Sequence, residues 1–325
     1  MHTRSRPSFT SIIPVALAIG LAACGSGSDD EGDIVDDGEL IKITSNNAKD
    51  IAQNALGTPD IFSATTLGVM GIVLEVDPSS PARSPSDLRG KSLLSNGLID
   101  ELSSRQTYQE NRNCAQGGNA TVTFDDANNN NTPDAGDSLA FDAINCATGE
   151  YVLNGGLKIM ILALEETEND TSFSFDITYD SLAVIEQASG DKSDLNGGVM
   201  ISFDSNDARE RIYLSSDRLD YTANGQALTY TNYSDELIVF SDETWTRELV
   251  YSASGSIIGG RFTAKTDPIG QGDLSISEYP LSGVFTFTGS DGSFVSLDAG
   301  TGDPDTVMIN INGNTQVITW ASLGL

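Results

Sequence analysis

The sequence predicts a mainly β protein, an antiparallel curved sheet or barrel-like meander with one or two N-terminal helices. Two observations predict this fold class. From about residue 105 onward, short runs alternate apolar and polar residues, the period of a strand with one buried face. Asn-Gly, Asp-Gly and Gly-Gly pairs separate many of these runs, as they do in hairpins. The clearest runs are 120–124, 173–179, 228–233 and 284–288.

The β-rich domain is predicted to span residues 41–325 and to open with a helical segment at about 44–76. Apolar residues recur there at helical spacing: Ala48, Ile51, Ala52 and Ala55. Gly57 can end this helix. The next apolar stretch, 61–76, is rich in β-branched residues. It is compatible with a second helix or with a strand, so one or two helices are expected.

A weak internal repeat places glycine beside alternating runs. Residues 152–160 and 194–202 share Leu-Asn-Gly-Gly, and 257–263 and 281–286 are looser copies. We predict that each glycine precedes a strand, at a tight turn or a close backbone approach. The alternative is that glycine before a strand is simply common in β proteins. The spacing is not constant, which favours a meander over a regular solenoid.

The N-terminus has the features of an export signal. Arg4 and Arg6 precede an apolar run, 12–23, which is shorter than the roughly 20 residues of a membrane span. The run ends in Leu-Ala-Ala before Cys24, which resembles the lipobox of bacterial lipoproteins. The resemblance implies cleavage after residue 23 and acylation (palmitate among the chains) of the Cys24 thiol. The alternative is an ordinary signal peptide with an incidental cysteine.

The residues after the lipobox predict where the chain resides. Residues 24–40 comprise the lipidated cysteine and a glycine-, serine- and acid-rich segment that predicts a flexible tether. Several acyl chains hold a protein firmly, at roughly 0.8 kcal/mol per buried CH₂. Gly25 stands where the Gram-negative sorting rule uses aspartate for inner-membrane retention. We therefore predict the bacterial envelope, the outer rather than the inner membrane, facing the periplasm.

The charge and the histidine content exclude several functions. The chain has 17 Lys+Arg and 47 Asp+Glu, a formal net charge of −30. Such a charge argues against nucleic-acid binding and favours solubility or cation binding. The only histidine is His2, which the signal would remove. This excludes Ser-His-Asp and Cys-His sites and histidine-ligated zinc in the mature chain. Paired-carboxylate hydrolysis remains possible.

The chain has three cysteines, and lipidation of Cys24 would leave Cys114 and Cys146. An even pair in an exported chain predicts a disulfide. The alternative is two free thiols, which an oxidising compartment disfavours.

A calcium-loop pattern lies between these two cysteines. Counted from Asp126 as position one, side-chain oxygens fall at positions one, three, five, nine and twelve: Asp126, Asn128, Asn130, Asp134 and Asp137. Position seven, Thr132, would offer its backbone carbonyl. This is the ligand spacing of an EF-hand-type loop. Asn131 stands where that loop uses glycine, and asparagine tolerates positive φ.

Two departures from the EF-hand pattern limit the predicted site. The twelfth position is aspartate rather than glutamate, and the flanks look like strands rather than helices. We therefore predict a weak structural Ca²⁺ site on a β-hairpin, with a Kd of ~10⁻⁴–10⁻³ M. The alternative is an asparagine-rich turn that binds no metal.

Several of these features together resemble a group of uncharacterised proteobacterial envelope lipoproteins with a β-rich, disulfide-containing domain. They are the lipobox, the two cysteines, the loop ending Ala-Gly-Asp at 135–137, the Leu-Asn-Gly-Gly copies and Thr-Trp-Ala-Ser-Leu at 319–323. The resemblance covers roughly residues 110–325 and the lipobox. It implies a secreted β-rich fold and no known activity.

The leading functional prediction is a non-enzymatic, membrane-anchored binding or structural module facing the periplasm. One alternative is a carrier of lipid or another hydrophobic ligand, held in a cavity of the curved sheet with helix 47–56 as a plug. A third is a glycan hydrolase using carboxylates, for which Asp242, Glu243 and Glu248 around Trp245 are candidates. The predicted partners are the membrane, an unknown protein or a hydrophobic ligand, and no nucleic acid.

Overall fold

A computed structural model describes residues 40–53, 55–56, 108–130, 132–147, 151–167, 170–256, 258–277 and 279–323. The signal, Cys24, the tether and the apolar stretch 61–76 lie outside these residues. The predictions made for them are therefore not tested by the structure.

The described chain forms one antiparallel sheet of fifteen strands in nearly sequential order. Strands β1–β10 follow one another, β12–β15 continue the sheet, and β11 pairs with β9 off the main path. The strands are β1 (Tyr108–Asn113), β2 (Asn119–Asp125), β3 (Ser138–Ala147), β4 (Tyr151–Glu166), β5 (Thr171–Glu186), β6 (Lys192–Ser205), β7 (Arg209–Ala223), β8 (Gln226–Phe240), β9 (Thr244–Gly255), β10 (Gly260–Thr266), β11 (Gly270–Asp273), β12 (Val284–Thr288), β13 (Phe294–Asp298), β14 (Thr306–Ile311) and β15 (Asn314–Thr319).

This arrangement confirms the predicted antiparallel β fold, for which the sequence left open a curved sheet or a barrel-like meander. Strands β1 and β15 end the sheet and do not pair with each other, so the sheet is open rather than a closed barrel. The four runs singled out in the sequence all lie in strands, and the run 284–288 coincides with β12.

The hydrophobic core covers one face of the sheet because burial alternates along the strands. In β5, for example, Phe173, Phe175, Ile177 and Tyr179 are buried and the residues between them are more exposed. Strands β8, β9, β10 and β12 add a line of rings in edge and tilted contact: Tyr230, Tyr233, Tyr251, Phe262 and Phe287. Such rings bury large apolar areas and account for much of the core.

The predicted N-terminal helix is confirmed, with residues 48–53 and 55–56 helical. Its apolar stripe is buried, and Ala48, Ala52 and Ala55 are fully shielded from solvent. The Tyr251 hydroxyl donates a hydrogen bond of 2.7 Å to the Ala55 carbonyl, which fixes the helix to β9. Burial raises the pKa of Tyr251 well above its usual value, so this donor keeps its proton. None of the described helical segments is long and apolar enough to cross a membrane.

The prediction that the glycines of the two Leu-Asn-Gly-Gly copies begin strands is wrong. Gly155 lies inside β4 and Gly197 inside β6, both at positive φ (100° and 120°). An ideal Cβ at Gly155 would lie 2.3 Å from the Ser181 carbonyl oxygen, and one at Gly197 would lie 2.4 Å from the Arg218 oxygen. The predicted close backbone approach is therefore confirmed. In the looser copies, β10 does begin at Gly260 and Gly283 directly precedes β12.

The two copies form the same structure, an asparagine that caps a bulge in the preceding strand. In β3, Asn145 has φ 49° and donates its N–H to Asn154 Oδ1 at 2.7 Å. In β5, Ser181 has φ 50° and donates its N–H to Asn196 Oδ1 at 3.4 Å. The register shifts at both places, between Ala143 and Cys146 and between Tyr179 and Leu182. Bulges bend strands and increase twist, so these copies account for part of the curvature.

The predicted disulfide between Cys114 and Cys146 is confirmed, with a Cα–Cα distance of 5.3 Å. Cys114 follows β1 and Cys146 lies near the end of β3, one residue after the Asn145 bulge. The Cys146 side chain is fully buried and that of Cys114 nearly so. The bond therefore joins the edge hairpin to the third strand inside the core.

Candidate metal loop

The predicted calcium loop, residues 126–137, connects β2 to β3. The strands pair up to Asp125 and Ser138, so the expected flanking strands are confirmed. The disulfide lies at the opposite end of the same hairpin, beside the pair Asn119 and Ile144. Each end of this hairpin is thus fixed by a different local structure.

Four of the predicted ligand residues, from both halves of the loop, are linked by hydrogen bonds. Asp126 Oδ1 and Asn128 Oδ1 both accept the Asn130 N–H, at 3.2 and 3.0 Å. The amide nitrogens of Asn128 and Asn130 both donate to the Asp134 carboxylate, Asn128 at 2.8 Å to each oxygen. The sequence spacing therefore places Asp126, Asn128, Asn130 and Asp134 in one hydrogen-bond network.

Asp137 closes the loop from its C-terminal side. Its Oδ1 accepts the Ala127 N–H at 2.9 Å, and its Oδ2 accepts the Asp134 N–H at 3.0 Å. Asp137 is fully buried and Asp126 is 2% exposed. Buried carboxylates require hydrogen bonds or a counter-charge, and backbone donors meet part of that need here.

Backbone contacts attach the loop to the next strand and shape its turn. The Gly136 N–H donates to the Ile161 carbonyl at 2.8 Å, and the Ile161 N–H donates to the Asp137 carbonyl at 2.9 Å. Positive φ angles occur at Asn129 (58°) and Gly136 (103°). Asn131, for which the sequence predicts a positive φ, lies outside the described residues. Thr132 is exposed, and its N–H donates to Asn130 Oδ1 at 2.7 Å.

The predicted ligands of the loop are three carboxylates, two amides and the Thr132 carbonyl. In the described part of the chain, no group of three or more Asp, Glu, His or Cys side chains is arranged to hold a metal. Two of the six predicted ligands in the loop are asparagines, Asn128 and Asn130. Each amide carries an oxygen as well as the nitrogen that now contacts Asp134, so either side chain can turn its oxygen inward.

The acids around Trp245 lie on two structures, Asp242 and Glu243 in the turn before β9 and Glu248 within β9. Trp245 is buried on the core face of β9, whereas Glu248 is exposed, three positions along an alternating strand. Asp242 is exposed, and hydrogen bonds from Thr244 lower its pKa. A general acid for glycoside cleavage needs a raised pKa, so Asp242 is poorly suited to that role.

Two open grooves lie at the surface of the described sheet. One lies beside β9 and β10 and is lined by Val250, Lys265 and Ile269 among others. The second lies between the helix and the segment before β10, next to Asp50 and Ile258. Both are open to solvent.

Comparisons with known proteins place this chain in no group. No protein family matches it, and neither a curated protein sequence nor a solved structure matches it significantly.

Proposed function

We propose that the chain is a non-enzymatic lipoprotein of the bacterial envelope, anchored through Cys24, whose β domain acts as a binding or structural module facing the periplasm. The observation that carries this proposal is the basic start, short apolar run and Leu-Ala-Ala-Cys end of residues 1–24. The Cys114–Cys146 disulfide supports it, because such bonds persist in exported proteins and are rare in the cytosol.

The anchor is tested by fractionating Gram-negative cells that express the full chain. We expect wild type in the outer-membrane fraction, with labelled palmitate incorporated. Cys24→Ser should lose the label and move to the soluble periplasmic fraction. Gly25→Asp should keep the label and move to the inner membrane. A Cys24→Ser chain that still incorporates labelled palmitate would overturn lipid anchoring at Cys24.

The carrier alternative is supported by one observation, the position of the helix. The helical residues 48–53 and 55–56 lie on the apolar face of the sheet, as a plug would. Organic extraction of the purified Cys24→Ser chain separates the two functions, since this variant has no anchor of its own. We expect no lipid in stoichiometric amount. Recovery of about one lipid per chain would favour the carrier.

We further propose that the loop 126–137 binds Ca²⁺ and that the ion rigidifies the β2–β3 hairpin. The sequence spacing and the convergence of Asp126, Asn128, Asn130 and Asp134 support this proposal. A hard cation would replace the amide contacts at Asp134 and neutralise adjacent carboxylates. The role is structural, since the loop lies on a surface hairpin tied to β4.

The calcium proposal predicts a small, loop-dependent thermal shift. With a Kd of ~10⁻³ M, about 10 mM Ca²⁺ should stabilise the fold by about 1.4 kcal/mol and raise Tm by about 3 °C over chelator. Asp134→Asn should abolish the shift. Asp170→Asn, in an exposed turn between β4 and β5, is the matched control and should keep it. Equal shifts in the two variants would mean that calcium acts elsewhere.

A further inference from the structure

The two edges of the open sheet differ in charge. Strand β1 at one edge carries an exposed glutamate, Glu110. Strand β15 at the other edge reads Asn-Thr-Gln-Val-Ile-Thr and has no charged residue and no proline. Five of its six residues are exposed, and Val317 is 62% exposed. Edge strands normally carry charge, proline or a bulge that prevents pairing, so β15 is an unprotected edge.

The turn before β15 determines which of its backbone groups face outward. Asn312 and Gly313 have φ of 50° and 93°, a two-residue turn that makes Ile311 and Asn314 a hydrogen-bonded pair. Hydrogen bonding alternates along an antiparallel pair, so Gln316 and Ile318 also bond to β14. The N–H and C=O groups of Thr315 and Val317 then face away from the sheet, as does the Thr319 N–H.

Within the described residues, nothing pairs with this outer side of β15. Its only strand neighbour is β14. The edge ends at Thr319, whose carbonyl accepts the Ser322 hydroxyl at 2.7 Å. Beyond it the chain turns into the core, where Trp320 and Leu323 are buried. The exposed backbone is therefore one short strand.

We propose that β15 pairs antiparallel with β15 of a second copy of this chain, about a two-fold axis at Val317. This register sets Val317 opposite Val317 and Thr315 opposite Thr319 of the other copy. All of these residues are β-branched and lie on the solvent face of the strand, the kind of cross-strand pair that stabilises sheets.

Charge favours a copy of β15 over other surfaces of the same chain. At a net charge of −30, most contacts between two copies bring carboxylates together. The β15 pair brings none together, because the strand is uncharged. Pairing also uses up the edge in both copies, and an isologous contact of this kind closes as a dimer rather than a fibre. A single strand pair buries little area, so the dimer is weak and depends on concentration.

Cysteine cross-linking tests the register. The full chain carries Cys24→Ser, so that each added cysteine is the only free thiol. Paired residues on an antiparallel ladder have Cα atoms about 5.5 Å apart, within disulfide range. Val317→Cys should form disulfide dimers. Gln316→Cys should not, and Thr315→Cys should do so only when mixed with Thr319→Cys. Equal yields from Val317→Cys and Gln316→Cys would overturn this register.

Sedimentation tests the dimer without added thiols. Val317→Lys places two ammonium groups at the axis and should raise the monomer–dimer midpoint at least about tenfold. Val250→Lys, at an exposed valine of β9, makes the same change of charge and should leave the midpoint unchanged. A wild-type chain that stays monomeric at every concentration overturns the proposal, as does a midpoint equal in both variants.

Discussion

Replacing Gly197 by alanine is expected to lower the free energy of unfolding by about 3–5 kcal/mol, a loss at the upper end for single substitutions. Two costs combine at this position. Its φ of 120° is a conformation that residues with a Cβ rarely adopt. Its new Cβ would also lie 2.4 Å from the Arg218 carbonyl oxygen, a backbone atom that moves only if β7 moves.

Two glycine controls separate these costs. Gly198→Ala adds the same methyl at the next residue, where the nearest backbone atom is 3.8 Å away, and should be nearly neutral. Gly190→Ala adds it at φ 78° in open space, so it should cost about 1 kcal/mol from backbone strain alone. Urea unfolding followed by tryptophan fluorescence measures all three. A Gly197→Ala midpoint equal to that of Gly190→Ala would contradict the close approach.

Removing the disulfide is expected to lower the free energy of unfolding by about 3–4 kcal/mol. The bond closes 32 residues of chain, and closing a loop of this length removes that much conformational freedom from the unfolded state. The double variant Cys114→Ala, Cys146→Ala leaves the fold possible, because both positions then hold small apolar side chains in a buried site. Urea unfolding measured with and without reductant gives the difference.

Reductant serves as the internal control for that experiment. Wild type should lose stability in reductant and approach the double variant, while the double variant should not respond. A wild-type chain that unfolds at the same urea concentration in both conditions would mean that the bond does not constrain the unfolded state. The calcium shift can be measured on the same variant, because the loop 126–137 lies at the other end of the hairpin.

Alternation along the chain was enough to predict the class of fold. Residues such as Phe173, Phe175 and Ile177 recur with period two, and this local signal directly determines which side of a strand is buried. The Cys114–Cys146 bond followed from counting, since an exported chain with one lipidated cysteine leaves one pair. The convergence of Asp126, Asn128 and Asn130 followed from loop spacing, although spacing does not determine whether a cation binds.

Other features depend on contacts between distant residues, which a sequence pattern does not reveal. The sequence pattern predicts that Gly197 precedes a strand, because an alternating run follows it. Its real partner is the Arg218 carbonyl on the next strand, and pairing register determines that contact. Whether the sheet closed also depended on curvature summed over many strands. The uncharged composition of β15 was visible in the sequence, but its place at the edge was not.

The two asparagine-capped bulges have a consequence for how the long hairpins choose partners during folding. Neighbouring strands of similar length and composition can pair one residue out of step, which would turn every apolar side chain to the wrong face. Asn154 and Asn196 each accept a hydrogen bond from a backbone N–H at a bulge, that of Asn145 in β3 and that of Ser181 in β5. A slipped pairing of β3 with β4 or of β5 with β6 would lose that hydrogen bond. Gly155 and Gly197 instead approach the strands on the other side, β5 and β7, where a slipped pairing would set a Cβ against the backbone. Each copy thus favours the native register on both sides of its strand: β3–β4 and β4–β5 for the first copy, β5–β6 and β6–β7 for the second.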